Sequence, residues 1–251
     1  LTDDIGPNLI RRYARNMGIK TPIKAIPSIG IGTSEVTLID MIAAYSVYPN
    51  KGIYVEPYCI TAINDKDGNE LFRKNSGDKR EVLRPAAAVI VTDMMRSVMD
   101  EVGGTGRGAR TRYGFKPAAA GKTGTTNDYT DAWFIGFTPH LVAGVWVGID
   151  NPSLRLWPRQ AGSSAALPMW AFFMKEVYSQ IPKYSDLSKA DFDYPKDLVT
   201  ELSICRESYK TATRFCPDHD KDLFIKNESQ PVFCPLHGGQ NTSPAGSLQR
   251  F

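Results

Sequence analysis

Long apolar runs are missing from this sequence. The longest, Ala86 to Val91 and Leu141 to Val147, fall far short of the roughly 20 residues a membrane-crossing helix needs. A strong charge of one sign is missing too. The net charge of +3 argues against a nucleic-acid partner and leaves only a faint hint of anionic polymers. The chain has no initiating methionine, and no basic segment followed by an apolar stretch opens it. The expectation is therefore a piece of a longer protein, with any anchor or export signal upstream. Internal repeats and low-complexity tracts are absent. What is there is ordinary for a soluble globular chain: 42% apolar and 23% charged residues in 251, enough for one domain or a domain with an appendage.

Periodicity divides the chain. Leu9, Ile10, Tyr13 and Met17 form one stripe of a helix over Pro7 to Gly18, which Gly18 closes. A second helix is expected from a cap at Thr33 or Ser34 through Val36 to Tyr45, stopping near Pro49. Tyr54 to Asn64 is rich in β-branched and aromatic residues and reads as one strand. Asp65 to Asn69 is a turn signal, with Glu70 to Arg73 returning as the hairpin partner. Lys74 to Arg80 reads as a polar loop and Pro85 to Val102 as a third helix. Three strand-like runs follow, over Ala118 to Thr125, Ala132 to Phe137 and Leu141 to Ile149, spaced as antiparallel hairpins. Ala165 to Ile181 is an amphipathic helix carrying Met169, Trp170, Phe172, Phe173 and Val177. Beyond Pro182 periodicity fades and three of the four cysteines appear. The expected division is 1–181 as the main domain and 182–251 as an irregular tail.

The informative stretch is Ala120-Gly121-Lys122-Thr123-Gly124-Thr125-Thr126. A phosphate-binding loop needs a glycine five positions before Gly121, where Lys116 stands, and it needs a helix after the motif, where a strand is expected. Gly104 to Ala109 fits a loose dinucleotide pattern but follows a helix, which marks it as a turn. The other chemistry that uses a Gly-Lys-Thr core is the Lys-Thr-Gly strand of serine acyl-transfer enzymes, and for the three residues taken alone the plain alternative is an exposed strand end with a solvated lysine. In these enzymes the lysine supplies positive charge toward a substrate carboxylate and a nucleophilic serine. The threonine hydroxyl adds a directional hydrogen bond, and the glycine leaves room for a substrate backbone. A following backbone N–H can stabilise an oxyanion.

Around this motif the run Gly121 to Phe134, then Ile135 to Pro139 and Val145 to Gly148, resembles the bifunctional, class A penicillin-binding proteins. In matching order, so do Gly32-Thr33 with Val36 to Leu38, Ala43 to Tyr45, Asn50 to Gly52, Gly104 to Gly106 and Ala166 to Trp170. The resemblance implies an α+β fold, an antiparallel sheet flanked by helices, here incomplete. It implies a serine D,D-transpeptidase that forms an acyl-enzyme with peptidoglycan stem peptides and is acylated by β-lactam antibiotics. Carried over by position, Lys122 belongs to the catalytic network. Thr123 and Thr125 hold the substrate carboxylate, Gly124 lets the substrate strand dock, and the Thr125 N–H is half of an oxyanion hole.

The nucleophile is not expected in this chain. Its one Ser-x-x-Lys match, Ser76 to Lys79, sits in a polar stretch out of family order, and no Ser-x-Asn element occurs. The chain alone is therefore expected to be inactive. The intact protein is expected on the extracytoplasmic side, in the periplasm, with an upstream glycosyltransferase domain and a membrane anchor. Alternatives of the same fold are a serine β-lactamase, a D,D-carboxypeptidase, or a non-catalytic penicillin-sensing module. No cofactor is expected.

Two readings of the tail cysteines stand open. The resemblance to the cysteine-bearing end of class A members implies a Cys205–Cys216 disulfide in an exported protein. The rival is a zinc site from two Cys-x-x-His pairs, Cys216 with His219 and Cys234 with His237. Cys59 reads as a small buried hydrophobe. Trp133, Trp146 and Trp170 are expected in the core, Asp128 and Asp131 in turn or capping roles, and His140 at an exposed hairpin tip.

Overall fold

The computed structural model describes residues 2–151, 154–156, 160–228 and 232–238. Its compact units are Leu1–Phe192 and Asp193–Phe251. The expected boundary at 181/182 falls inside the first unit. There α7 (Pro182–Ser185) follows the preceding helix directly, and Phe192 packs edge-on against Phe137 with ring centroids 5.8 Å apart.

The first unit opens with α1 (Thr2–Ile5), α2 (Pro7–Asn16) and a 3₁₀ turn at Pro27–Ile31. The next helix, α3 (Leu38–Ser46), starts later than the sequence promised. Its cap is Thr37, whose hydroxyl accepts from the Asp40 N–H at 3.2 Å, not Thr33 or Ser34. The single strand expected over Tyr54 to Asn64 is two short ones, β1 (Ile53–Val55) and β2 (Ala62–Asn64), separated by a segment containing Pro57, which lacks the N–H a ladder needs. Strand β2 pairs with β3 (Glu70–Arg73) around the foreseen turn, where the Asp65 carboxylate accepts from the Asp67 and Asn69 amides. Strand β1 pairs instead with β4 (Lys79–Glu81), in the stretch read as a loop. Lys79 of the Ser-x-x-Lys match is thus an exposed strand residue. Cys59 is exposed, because the break in the strand leaves it on the surface.

Helices α4 (Pro85–Asp100) and α5 (Gly108–Thr111) lead to a three-stranded antiparallel sheet of β5 (Ala120–Thr125), β6 (Asp131–Phe137) and β7 (Val142–Gly148), in that spatial order. After a π-type turn at Gly162–Ala166, α6 (Leu167–Gln180) packs on this sheet. Gly121 and Gly136 face each other across β5 and β6. A side chain on Gly136 would lie 2.7 Å from the Trp170 ring, and one on Gly121 would lie 2.8 Å from the Phe134 ring. Gly136 therefore makes the room that Trp170 of α6 fills, and Gly121 makes room for the Phe134 ring. Trp170 is fully buried there, donates its indole N–H to the Ala143 carbonyl at 3.1 Å, and meets Phe115 and Phe134 edge-on.

The buried stripe of α6 is Leu167, Trp170, Ala171, Met174 and Tyr178. Met169, Phe172 and Phe173 point outward, more than half exposed. Trp133 and Trp146 form a tilted pair across β6 and β7, and Trp146 is 37% exposed, so these two cover a sheet face instead of filling the core. His140 is exposed at its hairpin tip.

The second unit is more ordered than an irregular tail. Strands β8 (Val199–Cys205) and β9 (His219–Ile225) pair over seven residues each, from Val199 opposite Ile225 to Cys205 opposite His219. Among the described residues no helix is long and apolar enough to cross a membrane.

Candidate functional site

Among the described residues strand β5 is the edge of its sheet, paired on one side only, by β6. An antiparallel ladder bonds alternate residues. The Thr126 N–H donates to the Asp131 carbonyl at 3.2 Å, and the register runs without a slip from Thr125 opposite Ala132 back to Ala120 opposite Phe137. The alternation therefore spends Gly124 and Lys122 on β6 and turns the backbone groups of Thr123 and Thr125 to the open edge. The Lys122 side chain folds over that same edge, its Nζ donating to the Thr123 carbonyl at 3.0 Å.

Both threonine hydroxyls are held from outside the strand. Thr123 Oγ1 lies 2.9 Å from Thr105 Oγ1, in the turn that follows α4. Thr125 Oγ1 accepts the Gly162 N–H at 2.9 Å. Gly162 can come this close because it has no side chain: a Cβ there would sit 2.4 Å from the Trp133 carbonyl and 2.7 Å from that of Gly124. Gly124 has Trp133 beneath it, only 3.1 Å from an added Cβ. Lys122, Thr123, Gly124 and Thr125 thus lie on one edge strand, with the backbone groups of Thr123 and Thr125 outward and the Lys122 side chain folded over the edge. Sequence reasoning missed Thr105 and Gly162 as parts of the site. Thr105 had a signal in its Gly-Thr-Gly turn, whereas Gly162 has none locally.

The turn after β5 is braced by its own side chains. Thr126 Oγ1 accepts from the Thr130 and Asp131 amides at 2.9 Å. Asp131 accepts from the Thr130 hydroxyl and from the Trp146 indole, each at 2.8 Å, and Asp128 pairs with Arg155 at 3.0 Å. These carboxylates are occupied in fixing the turn. A recess of about 540 Å³ lies elsewhere, lined by Tyr13, Glu81 to Arg84 and Ala87, and shares no residue with β5.

A second cluster lies in the Asp193–Phe251 unit. Cys205, Cys216, Cys234 and His237 bring their ligand atoms within 4.8 Å of one another. All three cysteines are buried free thiols, so Cys205 and Cys216 are not joined as the disulfide reading expected. His219, which the zinc reading included, is exposed at the start of β9 and outside the group, and Cys205 takes its place. The Ser208 and Glu207 amides draw the Cys205 thiol down to about 6, against the effect of burial. At Cys234 burial opposes ionisation, yet the Ser208 side chain and the His237 and Leu236 amides bring the thiol below its usual range. Burial pushes Cys216 up, while the two neighbouring thiols, Cys205 first, raise His237.

Comparison with known proteins gives the family of the chain. Residues 13–175 match the penicillin binding protein transpeptidase domain. Penicillin-binding protein 1A of Aquifex aeolicus is 37% identical over 234 residues, covering 93% of this chain and 30% of that protein. Penicillin-binding protein 2D of Bacillus subtilis is 34% identical, covering 92% of this chain and 32% of that protein. The chain therefore spans about a third or less of these relatives. Among solved structures, penicillin-binding protein 1A of Haemophilus influenzae superposes with a TM-score of 0.76 over 90% of this chain and 37% of that one, at 24% identity, a likeness of fold. The PonA1 protein of Mycobacterium tuberculosis in complex with penicillin V superposes with a TM-score of 0.61 over 76% of this chain and 52% of that one, at 25% identity. With a matching domain over most of its length and the Lys122 strand on an open sheet edge, this chain belongs to the penicillin-binding protein transpeptidase family.

Proposed function

We propose that this chain supplies the substrate-docking strand of a serine D,D-transpeptidase that cross-links peptidoglycan stem peptides and is acylated by β-lactams. The observation that carries the reading is the open edge of β5, to which the backbone groups of Thr123 and Thr125 turn and where the Lys122 ammonium bonds the Thr123 carbonyl. An extended peptide can add to such an edge through main-chain hydrogen bonds. The Thr123 and Thr125 hydroxyls then meet its terminal carboxylate, or that of a β-lactam, and Lys122 supplies the opposite charge. Gly124 leaves the docking strand unobstructed. The outward Thr125 N–H donates to the oxyanion that forms when a serine attacks the scissile carbonyl. An amine from a second stem peptide resolves the acyl-enzyme. The serine comes from a Ser-x-x-Lys element outside this chain, in a protein held at the outer face of the cytoplasmic membrane and carrying a glycosyltransferase domain.

Fluorescent-penicillin labelling tests this. The full-length protein is expected to label and this chain alone is not. Lys122→Ala in the full-length protein should slow acylation by on the order of 10²-fold, the scale of losing one preorganised electrostatic contact. Labelling of this chain by itself would place the nucleophile within it. An unlabelled full-length protein would point to a non-catalytic member of the fold.

A further inference from the structure

The second unit has fewer than 60 residues, a size at which a single apolar core seldom suffices and a metal or disulfide staple is the common remedy. Its buried cluster consists of Cys205, Ala212, Cys216 and Cys234, with no large hydrophobe among them. Sulfur stands where leucine or phenylalanine would stand in an ordinary core.

The geometry around that sulfur is a ligand set. Zinc holds thiolate at about 2.3 Å and imidazole at about 2.0–2.1 Å, so a tetrahedral site has S···S edges of about 3.8 Å and S···N edges of about 3.6 Å. His237 Nδ1 lies 3.4 Å from Cys205 Sγ and 3.3 Å from Cys234 Sγ, and no pair of the four ligand atoms exceeds 4.8 Å. The other ring nitrogen, Nε2, faces Glu207 Oε2 at 3.4 Å, the carboxylate partner that orients a metal-bound histidine. Cys216 Sγ accepts the Thr213 N–H at 3.2 Å, and the Thr213 hydroxyl donates to the His237 carbonyl at 2.7 Å, tying two ligand-bearing segments together. Thr211 ties the same two again, and the third, bearing Cys205, is tied by the Cys205 N–H donating to the Lys210 carbonyl at 2.8 Å and the Ala212 N–H donating to the Ser203 carbonyl at 2.7 Å. A disulfide fits less well. Three converging cysteines are an odd number, and any pair would leave one buried thiol and the histidine without a role.

We propose that Cys205, Cys216, Cys234 and His237 bind one Zn²⁺ as a closed, structural Cys₃His site that holds the C-terminal unit folded. Binding forms three Zn–S bonds and one Zn–N bond. The thiol protons leave to solvent and nothing is oxidised or reduced. With all four positions filled by protein, no place is left for a catalytic water. The inference stands apart from the transpeptidase reading, since no residue of β5 enters it.

The test uses the full 251-residue chain, expressed with zinc and purified without chelator. Elemental analysis should find one zinc per chain. His219→Ala and Cys59→Ser should keep it, whereas Cys216→Ser and Cys234→Ser should lose it. In case those ligand variants fold poorly, exchange of the wild-type chain with Co²⁺ should give the visible bands of tetrahedral cobalt and the near-ultraviolet bands of thiolate ligation. Glu207→Gln keeps every ligand, and competition with a chelator should show zinc held about 10–100-fold more weakly. Substoichiometric zinc with a Cys205–Cys216 disulfide in the peptide mass map would overturn the proposal. So would zinc lost by His219→Ala, or a cobalt spectrum without thiolate bands.

Discussion

The two units of this chain are held together by different means. In Leu1–Phe192 the centre is carbon: Trp170, Phe134, Phe115, Leu167 and Met174 are buried in one cluster. In Asp193–Phe251 the centre is sulfur, with three cysteines and an alanine. Burying a large apolar side chain contributes roughly 1.5–3 kcal/mol, so the first unit can rest on area alone. Among the described residues of the second the buried cluster holds no large apolar side chain, and the proposed zinc site would give its ordered hairpin a bond-like constraint. The lesson is that a large sheet-and-helix unit can leave a sheet edge open because its stability lies behind that edge. A small appendage has its reactive groups committed to holding itself together.

That contrast can be broken most directly by removing metal. Treatment with a strong zinc chelator should abolish hydrogen-exchange protection of the β8–β9 hairpin and leave that of β5–β6–β7 unchanged. Simultaneous loss in both sheets would mean that the units do not draw on separate sources of stability. The next largest effect is expected from Trp170→Ala, which empties the centre of the first unit. Denaturant unfolding should show a loss of about 3–5 kcal/mol, while zinc content stays the same.

A smaller effect sharpens the comparison through pH. Burial, with the Tyr48 ring adjacent, raises the Tyr45 phenol from 10.0 to about 12. The folded state therefore keeps a proton that the unfolded chain gives up near pH 10. Stability from this group is complete below pH 10 and is lost as pH rises toward 12, by about 2–3 kcal/mol. Unfolding free energies measured across that window should fall less steeply for Tyr45→Phe. Equal slopes in the two proteins would remove Tyr45 as the cause. Smallest is Gly136→Ala, whose methyl meets the Trp170 ring. Overpacking should cost about 1–3 kcal/mol in Tm or denaturant measurements, against no change for a glycine in open space such as Gly103→Ala corrected for its left-handed backbone.

Legibility in the sequence followed the range of the cause. Helices with an apolar stripe and strands joined by tight turns were readable because period and turn chemistry act between neighbours. The β6–β7 hairpin around Thr138 to His140 and helix α4 are found close to their expected bounds. The strand that carries Lys122 was also readable, since it is one short run of consecutive residues ahead of a turn. Less legible was β4, a polar stretch that becomes a strand only because β1 offers an edge. The α3 cap moved to Thr37 because three hydroxyl residues compete there and only backbone geometry chooses.

By itself the sequence determined the elements of the first unit and the presence of a Lys-Thr-Gly strand. Both rest on local periodicity and residue type. Only the tertiary structure decided which edge of that strand is open, and that Thr105 and Gly162 fasten its hydroxyls, because ladder pairing and packing join residues far apart in the chain. It also decided the cysteine partners. Local spacing offered His219, but the chain closes through Thr211, bridged to both Ile204 and Phe233, and brings Cys205 to His237 instead. Ligand convergence is a property of closed loops, which no short-range pattern encodes.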